Sequence, residues 1–411
     1  MFSPPNLLMS RFGDGLAVGP DLPAAAESAV TQALAPLRGQ RPDLLCLFVC
    51  GDDPAMVESA GTRAMEVAGA RTTLGCSAGG VIGAGRGVEH EPAVSVFAAC
   101  LPGVRRTPLH LELVRTSEGA AVTGMPDRRS DDAVAVFLAD PFTFPVADFV
   151  QRSHEDLGGL PLIGGVASGP RNGKAPRLFL NGHSVPAGAV GVILGGPVAA
   201  HPVVSQGCRP FGPPMIVTKA ESNVLLELAG MPALAKLEQI VAELPAQDRS
   251  AAVRGLQIGV AIDEYAEEHE RGDFLIRGVV GADQQRGAIA IGDVVEVGRT
   301  VRFQVRDSSA AAEDLKELFI RFRAETPSVG GALLFSCNGR GGAMFPSADH
   351  DVLAVRAGLD TTGVAGFFAA GEIGPVAGRN HLHGFTASIL VFGASGSGND
   401  TNVGLVGEQA I

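Results

Sequence analysis

The sequence predicts an α/β chain, mixed α+β in detail, with two domains built from repeated β-α-β-β units and mixed sheets. Three features lead there. An internal repeat couples a short apolar run to a glycine motif, amphipathic stretches at helical spacing lie between those two signals, and a block of short alternating runs fits an antiparallel meander. A length of 411 residues accommodates more than one domain, and 46% hydrophobic against 18% charged residues supplies buried cores and argues against disorder.

The repeat occurs three times. The first copy runs Leu44-Leu-Cys-Leu-Phe-Val-Cys50, then Gly51-Asp-Asp-Pro54, a helical stretch, and Gly75-Cys-Ser-Ala-Gly-Gly80. The second runs Ala133-Val-Ala-Val-Phe-Leu-Ala139, then Asp140-Pro141, a helical stretch, and Gly164-Gly-Val-Ala-Ser-Gly169. The third runs Ala332-Leu-Leu-Phe-Ser-Cys337, then Asn338-Gly-Arg-Gly-Gly342, a helix, and Gly366-Phe-Phe-Ala-Ala-Gly371. Each closing segment fits G-x-x-A-x-G, reads as a glycine turn, and precedes a further apolar strand (93 to 101, 189 to 194 and 385 to 392).

The helices follow from caps and stripes. Asp53 before Pro54 is an N-cap with proline at the first helical position. Ser347 is placed to cap a helix that buries Val352, Leu353, Val355 and Leu359. Leu315, Leu318, Phe319 and Phe322 form one stripe over 309–323, and Leu234, Leu237, Ile240, Val241 and Leu244 another over 231–244. Between these two helices the runs 257–262, 273–280, 287–291 and 300–306 read as a meander; in the last, Val301, Phe303 and Val305 alternate with Arg302, Gln304 and Arg306. Proline and glycine cluster over 195–214 and place a domain boundary there. The expected layout is an N-terminal extension over 1–29, a domain over 30–205, a second over 206–392, and a flexible tail over 393–411.

Composition also excludes function classes. A formal charge of −12 with no dense Lys/Arg cluster argues against nucleic acid and against an anionic membrane surface as partner. Six cysteines without a Cys-x-x-Cys pair, several inside apolar runs, read as reduced core thiols. Neither a signal peptide nor a run of roughly 20 apolar residues is visible, so the expected location is the cytoplasm.

The candidate chemistry collects in the third copy. Cys337-Asn338-Gly339-Arg340 ends a strand in a polar glycine loop, the kind of place where open α/β sheets bind ligands; the competing reading is an ordinary tight turn with a surface arginine. Arg340 brings a planar cation suited to a carboxylate or phosphate. Glu372, directly after Gly371, is the only acid following any of the three glycine motifs (the others have Val81 and Pro170), and it suits a ligand amine or a pairing with Arg340. His381 and His383 lie on one side of an extended segment, a two-ligand start for a metal site or a base for Cys337 acting as nucleophile; nothing in the sequence supplies a full ligand set. No cofactor motif survives inspection. Gly169-Pro-Arg-Asn-Gly173-Lys174-Ala175 is one residue short of a P-loop and lacks the Ser/Thr, and Gly83-Ala-Gly85-Arg-Gly87 is out of register for a dinucleotide loop.

These residues resemble the FIST family, named for F-box and intracellular signal transduction. Leu74-Gly75-Cys-Ser-Ala-Gly-Gly80 with Ser95-Val-Phe97 resembles its N-terminal domain. Gly272-Asp273-Phe-Leu-Ile-Arg277, Phe335-Ser-Cys337-Asn-Gly-Arg340-Gly, Gly371-Glu372-Ile-Gly-Pro and Leu382-His-Gly-Phe-Thr386-Ala-Ser resemble its C-terminal domain. The likeness covers about residues 30 to 392. It implies a stand-alone intracellular sensory protein that binds a small molecule, an amino acid or derivative, and hands the signal to a separate signalling protein. On this reading Cys337, Asn338, Gly339, Arg340, Gly371 and Glu372 line the site, with Asp273, Arg277 and His383 as secondary candidates. The alternative is a cysteine- or metal-dependent enzyme acting at the same place.

Overall fold

The computed structural model describes residues 9–117, 119–170, 175–266, 269 and 272–394. The tail expected after Gly393 lies, from 395 onward, outside the described residues, as does the 171–174 part of the P-loop-like segment.

Each copy of the repeat forms one mixed sheet with the same strand order. In the first unit the edge strand Arg11–Val18 pairs with Ala93–Cys100, then come Leu44–Cys50 and, parallel to it, Thr72–Ala78. The second unit orders Arg105–Thr116, Ala189–Gly195, Asp132–Ala139 and parallel Leu162–Val166. The third orders Ala200–Gln206, Thr386–Gly393, Val329–Cys337 and parallel Val364–Ala369. Helices Pro54–Ala68, Val146–Asp156 and His350–Leu359 make the parallel crossovers.

The glycine motifs expected as turns begin inside these second parallel strands and turn only at their ends, and their first glycine has a shared steric reason. A Cβ on Gly75 would lie 2.2 Å from the carbonyl oxygen of Leu47, one on Gly164 1.9 Å from that of Phe137, and one on Gly366 1.7 Å from that of Leu334. The neighbouring backbone leaves room for nothing larger than hydrogen.

A hairpin unseen in the sequence follows each motif, and it joins another unit's sheet. Gly80–Gly83 with Arg86–Glu89 leaves the first unit and extends the third, pairing with Val364–Ala369. Leu178–Leu180 with His183–Val185 leaves the second and pairs with Thr72–Ala78 of the first. Glu372–Val376 with Arg379–His383 leaves the third and pairs with Leu162–Val166 of the second. The exchange is cyclic, so the two domains interlock. Ser168 marks the junction: its Oγ donates to Phe368 O at 2.6 Å and accepts the Gly79 N–H at 2.8 Å, touching all three units.

Strand alternation sorts the side chains into an inner and an outer layer. Cys46 and Phe48, Val136 and Leu138, and Leu333 and Phe335 point into one shared core, where Phe48, Phe335 and Phe367 cluster with ring centroids 5.0 to 6.3 Å apart. The intervening residues pack outward against helices: Leu45 and Leu47 on Leu22–Leu34 and Pro54–Ala68, Phe137 on Val146–Asp156, and Leu334 on Ser308–Glu325 and His350–Leu359. The stretch expected as an N-terminal extension therefore holds the first unit's edge strand and the start of its outer helix.

The meander over 208–306 is an insertion in the third unit, between Ala200–Gln206 and Ser308–Glu325. Thr300–Arg306 pairs with both Met215–Glu221 and Leu256–Ala261, so the antiparallel sheet closes on itself through Val224–Leu228, Ala288–Ile291 and Phe274–Asp283. Closure leaves few free edges. Val301, Phe303 and Val305 fill its interior as the alternation predicts. The expected 231–244 helix spans Ala233–Glu243, and a second helix, Ala246–Gly255, was not legible. Two details differ near the site: the helix expected to be capped by Ser347 starts at His350, and Leu353 is exposed while Val352, Val355 and Leu359 are buried. Among the described residues no helix is long and apolar enough to cross a membrane.

Candidate functional site

The strand Val329–Cys337 delivers Cys337 to the junction, and the loop after it is held by backbone bonds: Asn338 N–H donates to Ala369 O at 2.8 Å and Arg340 N–H to Cys337 O at 2.9 Å. Asn338 stays exposed. Arg340 turns inward and is fully buried. Its Nε and Nη2 donate to the two carboxylate oxygens of Asp351 at 2.7 and 2.9 Å, and Nη1 donates to Phe385 O at 3.3 Å. Ser336 Oγ adds a donor to the same carboxylate at 2.6 Å, and His350 Nδ1 lies 3.0 Å from it. Burial alone would raise the Asp351 carboxyl, but the Arg340 charge and these donors hold it well below the usual carboxylate range. All of Arg340's strong contacts are thus internal. The expected partner Glu372 is not one of them.

Glu372 opens the exchanged hairpin and is fully buried. Its Oε2 accepts from Thr386 N–H at 3.2 Å and from Thr386 Oγ–H at 2.9 Å. Among the described residues its Oε1 has no hydrogen-bond partner. Burial pushes this carboxyl up to about 8, with the Thr386 bonds pulling the other way. The Cys337 thiol is close enough to lower the carboxyl further by hydrogen bonding, but a thiol is a weak donor and its geometry leaves Oε1 short of a hydrogen bond. Burial first, and then the Glu372 charge, raise the Cys337 thiol, the opposite of what a nucleophilic cysteine requires.

His383 pairs in register with Glu372, so the two share a face of the hairpin, while Ile373 and Leu382 share the other. The His383 imidazole Nε2 lies 3.0 Å from Gly374 O, and burial pushes the ring down to about 3. His381 is pushed down to about 4 by burial and the Arg277 and Arg379 charges. The two rings sit 5.9 Å apart, edge to face, and among the described residues no group of three or more His, Cys, Asp or Glu side chains is placed to hold a metal ion. Arg277 belongs to the inserted sheet; it meets Asp293 at 2.5 Å and donates to Leu382 O at 3.0 Å, clamping the insertion to the exchanged hairpin. Asp273 lies just before the same strand, where its carbonyl accepts the Ile262 N–H.

On the Leu382 face of the hairpin, Gly371 and Leu382 border a groove of about 450 Å³ completed by Phe144, Val146 and Val166, with His383 reaching only its rim from the other face. The candidates therefore divide: Cys337, Glu372 and Thr386 meet at the junction, Arg340 serves Asp351, and Gly371 opens on the groove. Sequence reasoning missed Asp351 and Phe385. Phe385 and Thr386 stand in the motif after Leu382, but nothing local marks their roles; Asp351 is an ordinary first-turn acid until the fold brings Arg340 to it.

Residues 43–231 match the model of the FIST N domain and residues 233–375 that of the FIST C domain, so the two models meet inside the insertion. An uncharacterized protein of Mycobacterium tuberculosis is 44% identical over 388 residues, covering 93% of this chain and 99% of its own. An uncharacterized protein of Mycobacterium bovis is 42% identical over 383 residues, covering 93% and 98%.

Proposed function

We propose that this chain, which belongs to the FIST family, is a sensory protein that binds a small molecule at the junction of Cys337, Glu372 and Thr386. FIST domains are associated with signal transduction and small-ligand sensing. The observation that carries the reading is the unpartnered Oε1 of the fully buried Glu372. A buried polar atom without a partner is costly, and such sites ask for a ligand, an ion or a role. An ammonium or amide N–H from an amino acid or derivative supplies the missing donor and stabilises the ionised carboxylate. Downstream, Arg277 ties the hairpin that carries Glu372 to the inserted sheet, which offers a separate signalling protein a route to read the bound state.

A thermal-shift screen of amino acids and related amines tests this. A ligand at about 100 times its Kd stabilises the native state by about 2.7 kcal/mol, a readily measured rise in melting temperature. The expected pattern is a rise for the wild type and none for Glu372→Gln. A screen in which no compound shifts the wild type, or in which Glu372→Gln responds equally, would end the reading.

A further inference from the structure

In the second and third units the residue just before the last strand has positive φ. The second places Gly188 there, φ +88°, directly before Ala189–Gly195; the third places Phe385, φ +60°, directly before Thr386–Gly393. Glycine takes this conformation freely, whereas a bulky side chain does so only where its surroundings over-determine it. The surroundings of Phe385 do. A Cβ on Gly339 would lie 2.7 Å from the ring, so the loop glycine is what lets the ring settle. The Arg306 guanidinium stands 5.0 Å over the ring centroid, and the ring packs on the inserted-sheet residues Cys208, Phe274 and Ile276. Phe385 O meanwhile accepts from Arg340 Nη1 at 3.3 Å.

The ring lies beside the junction. Thr386, the next residue, holds Glu372 Oε2, and Cys337 Sγ lies 3.7 Å from the same Gly339 Cβ position. Cys337 is 6% exposed and Glu372 0%, while Asn338 beside them is open. The side chain next to the Cys337 loop is thus held in an unfavourable backbone conformation, one residue from the threonine that holds a buried carboxylate whose other oxygen is unpartnered.

We infer that Phe385 is a gate: its ring fills the approach to Glu372 Oε1, and it swings aside for a ligand that carries an N–H donor next to a flat apolar group able to take the ring's place over Gly339. The inference rests on Glu372 as the ligand anchor and adds the element that controls entry and selects the apolar part. Release of the positive-φ conformation lowers the cost of opening. Because the ring also packs on Cys208 and Phe274, its displacement reaches the inserted sheet directly.

Phe385→Gly and Phe385→Leu in the full chain test the gate. The readout is site-resolved alkylation of thiols by iodoacetamide at one pH. Cys337 in Phe385→Gly is expected to label on the order of tenfold faster than in the wild type, with Phe385→Leu between them, because the covering side chain is gone and not because the fold opens. Cys46 and Cys76, buried in the shared core, must stay unlabelled. Protection of Cys337 equal to the wild type, with Cys46 and Cys76 protected, overturns the gate; if Phe385→Gly exposes the core thiols, Phe385→Leu decides by the same criterion. In a second arm benzylamine should raise the melting temperature of Phe385→Gly, and neither benzyl alcohol on that variant nor benzylamine on Phe385→Gly/Glu372→Gln should do so. Equal effects of the amine and the alcohol overturn the donor requirement. A wild-type amine response with unchanged Cys337 labelling retires the gate and keeps the sensor reading; faster labelling with no amine response in any variant retires the Glu372 anchor instead.

Discussion

Arg340 and Asp351 form a two-point ion pair with both side chains out of contact with solvent, Nε to Oδ2 at 2.7 Å and Nη2 to Oδ1 at 2.9 Å. Removing one partner strands the other's charge in a low-dielectric interior, so Asp351→Asn is expected to cost roughly 3–5 kcal/mol. Replacing both together, Arg340→Met with Asp351→Leu, should recover most of that loss. Urea denaturation of the single and double variants measures the difference, and a double variant no better than the single would show that the pair is not an isolated unit.

Glu372 makes stability fall as pH rises. Its folded value is about 8 against an ordinary value of 4.5, so between those limits the folded state keeps a proton that the unfolded chain has released. Stability is at its full value below the lower limit and falls progressively up to the upper one, at roughly 1.4 kcal/mol per pH unit for a fully linked proton. Glu372→Gln removes that slope. Stability curves of wild type and variant from pH 5 to 8 should diverge in favour of the variant as pH increases; parallel curves would contradict the raised carboxyl.

The histidines act with the opposite sign. His381 and His383 are held near 4 and 3 against an ordinary 6.5, so the folded state keeps them neutral. That is a stability present above 6.5 and lost as pH falls toward the folded values. The variant carrying His381→Gln and His383→Gln should unfold at lower pH than the wild type in an acid titration followed by circular dichroism.

Ser168 joins all three units through one hydroxyl, and Ser168→Ala leaves the half-buried Gly79 N–H and the Phe368 carbonyl without it. The expected cost is about 1–3 kcal/mol, measured as a lower urea midpoint. Hydrogen exchange should quicken in the hairpins Gly80–Gly83/Arg86–Glu89 and Glu372–Val376/Arg379–His383, the first following directly on Gly79 and the second pairing with the strand that precedes Ser168.

The two faces of the exchanged hairpin can be told apart by binding. Leu382→Glu charges the groove bordered by Phe144 and Val146 and leaves the Glu372 face untouched. An amine that shifts the wild type is expected to shift Leu382→Glu alike and Glu372→Gln not at all. The reverse pattern would move the ligand to the groove.

Much of the architecture was legible because its signals are local. The strands ending at Cys50, Ala139 and Cys337 were read almost to the residue, since short apolar runs bounded by turn residues have few other readings. Asp53 caps its helix as expected, its side chain accepting from Ala55 N–H. The G-x-x-A-x-G motif reads as a turn throughout, but only its last residues leave the strand: glycine marks a bend and a close backbone approach with the same letter, and only the carbonyls of Leu47, Phe137 and Leu334 distinguish them. The hairpins escaped because each is two short strands whose partner is another unit.

The sequence by itself determined three β-α-β-β units, a meander and the singular position of Glu372, because periodicity, caps and repeat comparison depend on neighbours along the chain. The tertiary structure alone decided which sheet each hairpin joins, that Arg340 belongs to Asp351, and that Phe385 closes over Gly339 beside a carboxylate with an unpartnered oxygen. Those outcomes depend on burial and on which distant groups meet, and the free energy of a buried charge or an unmade hydrogen bond is set by that meeting and not by the residues on either side of it.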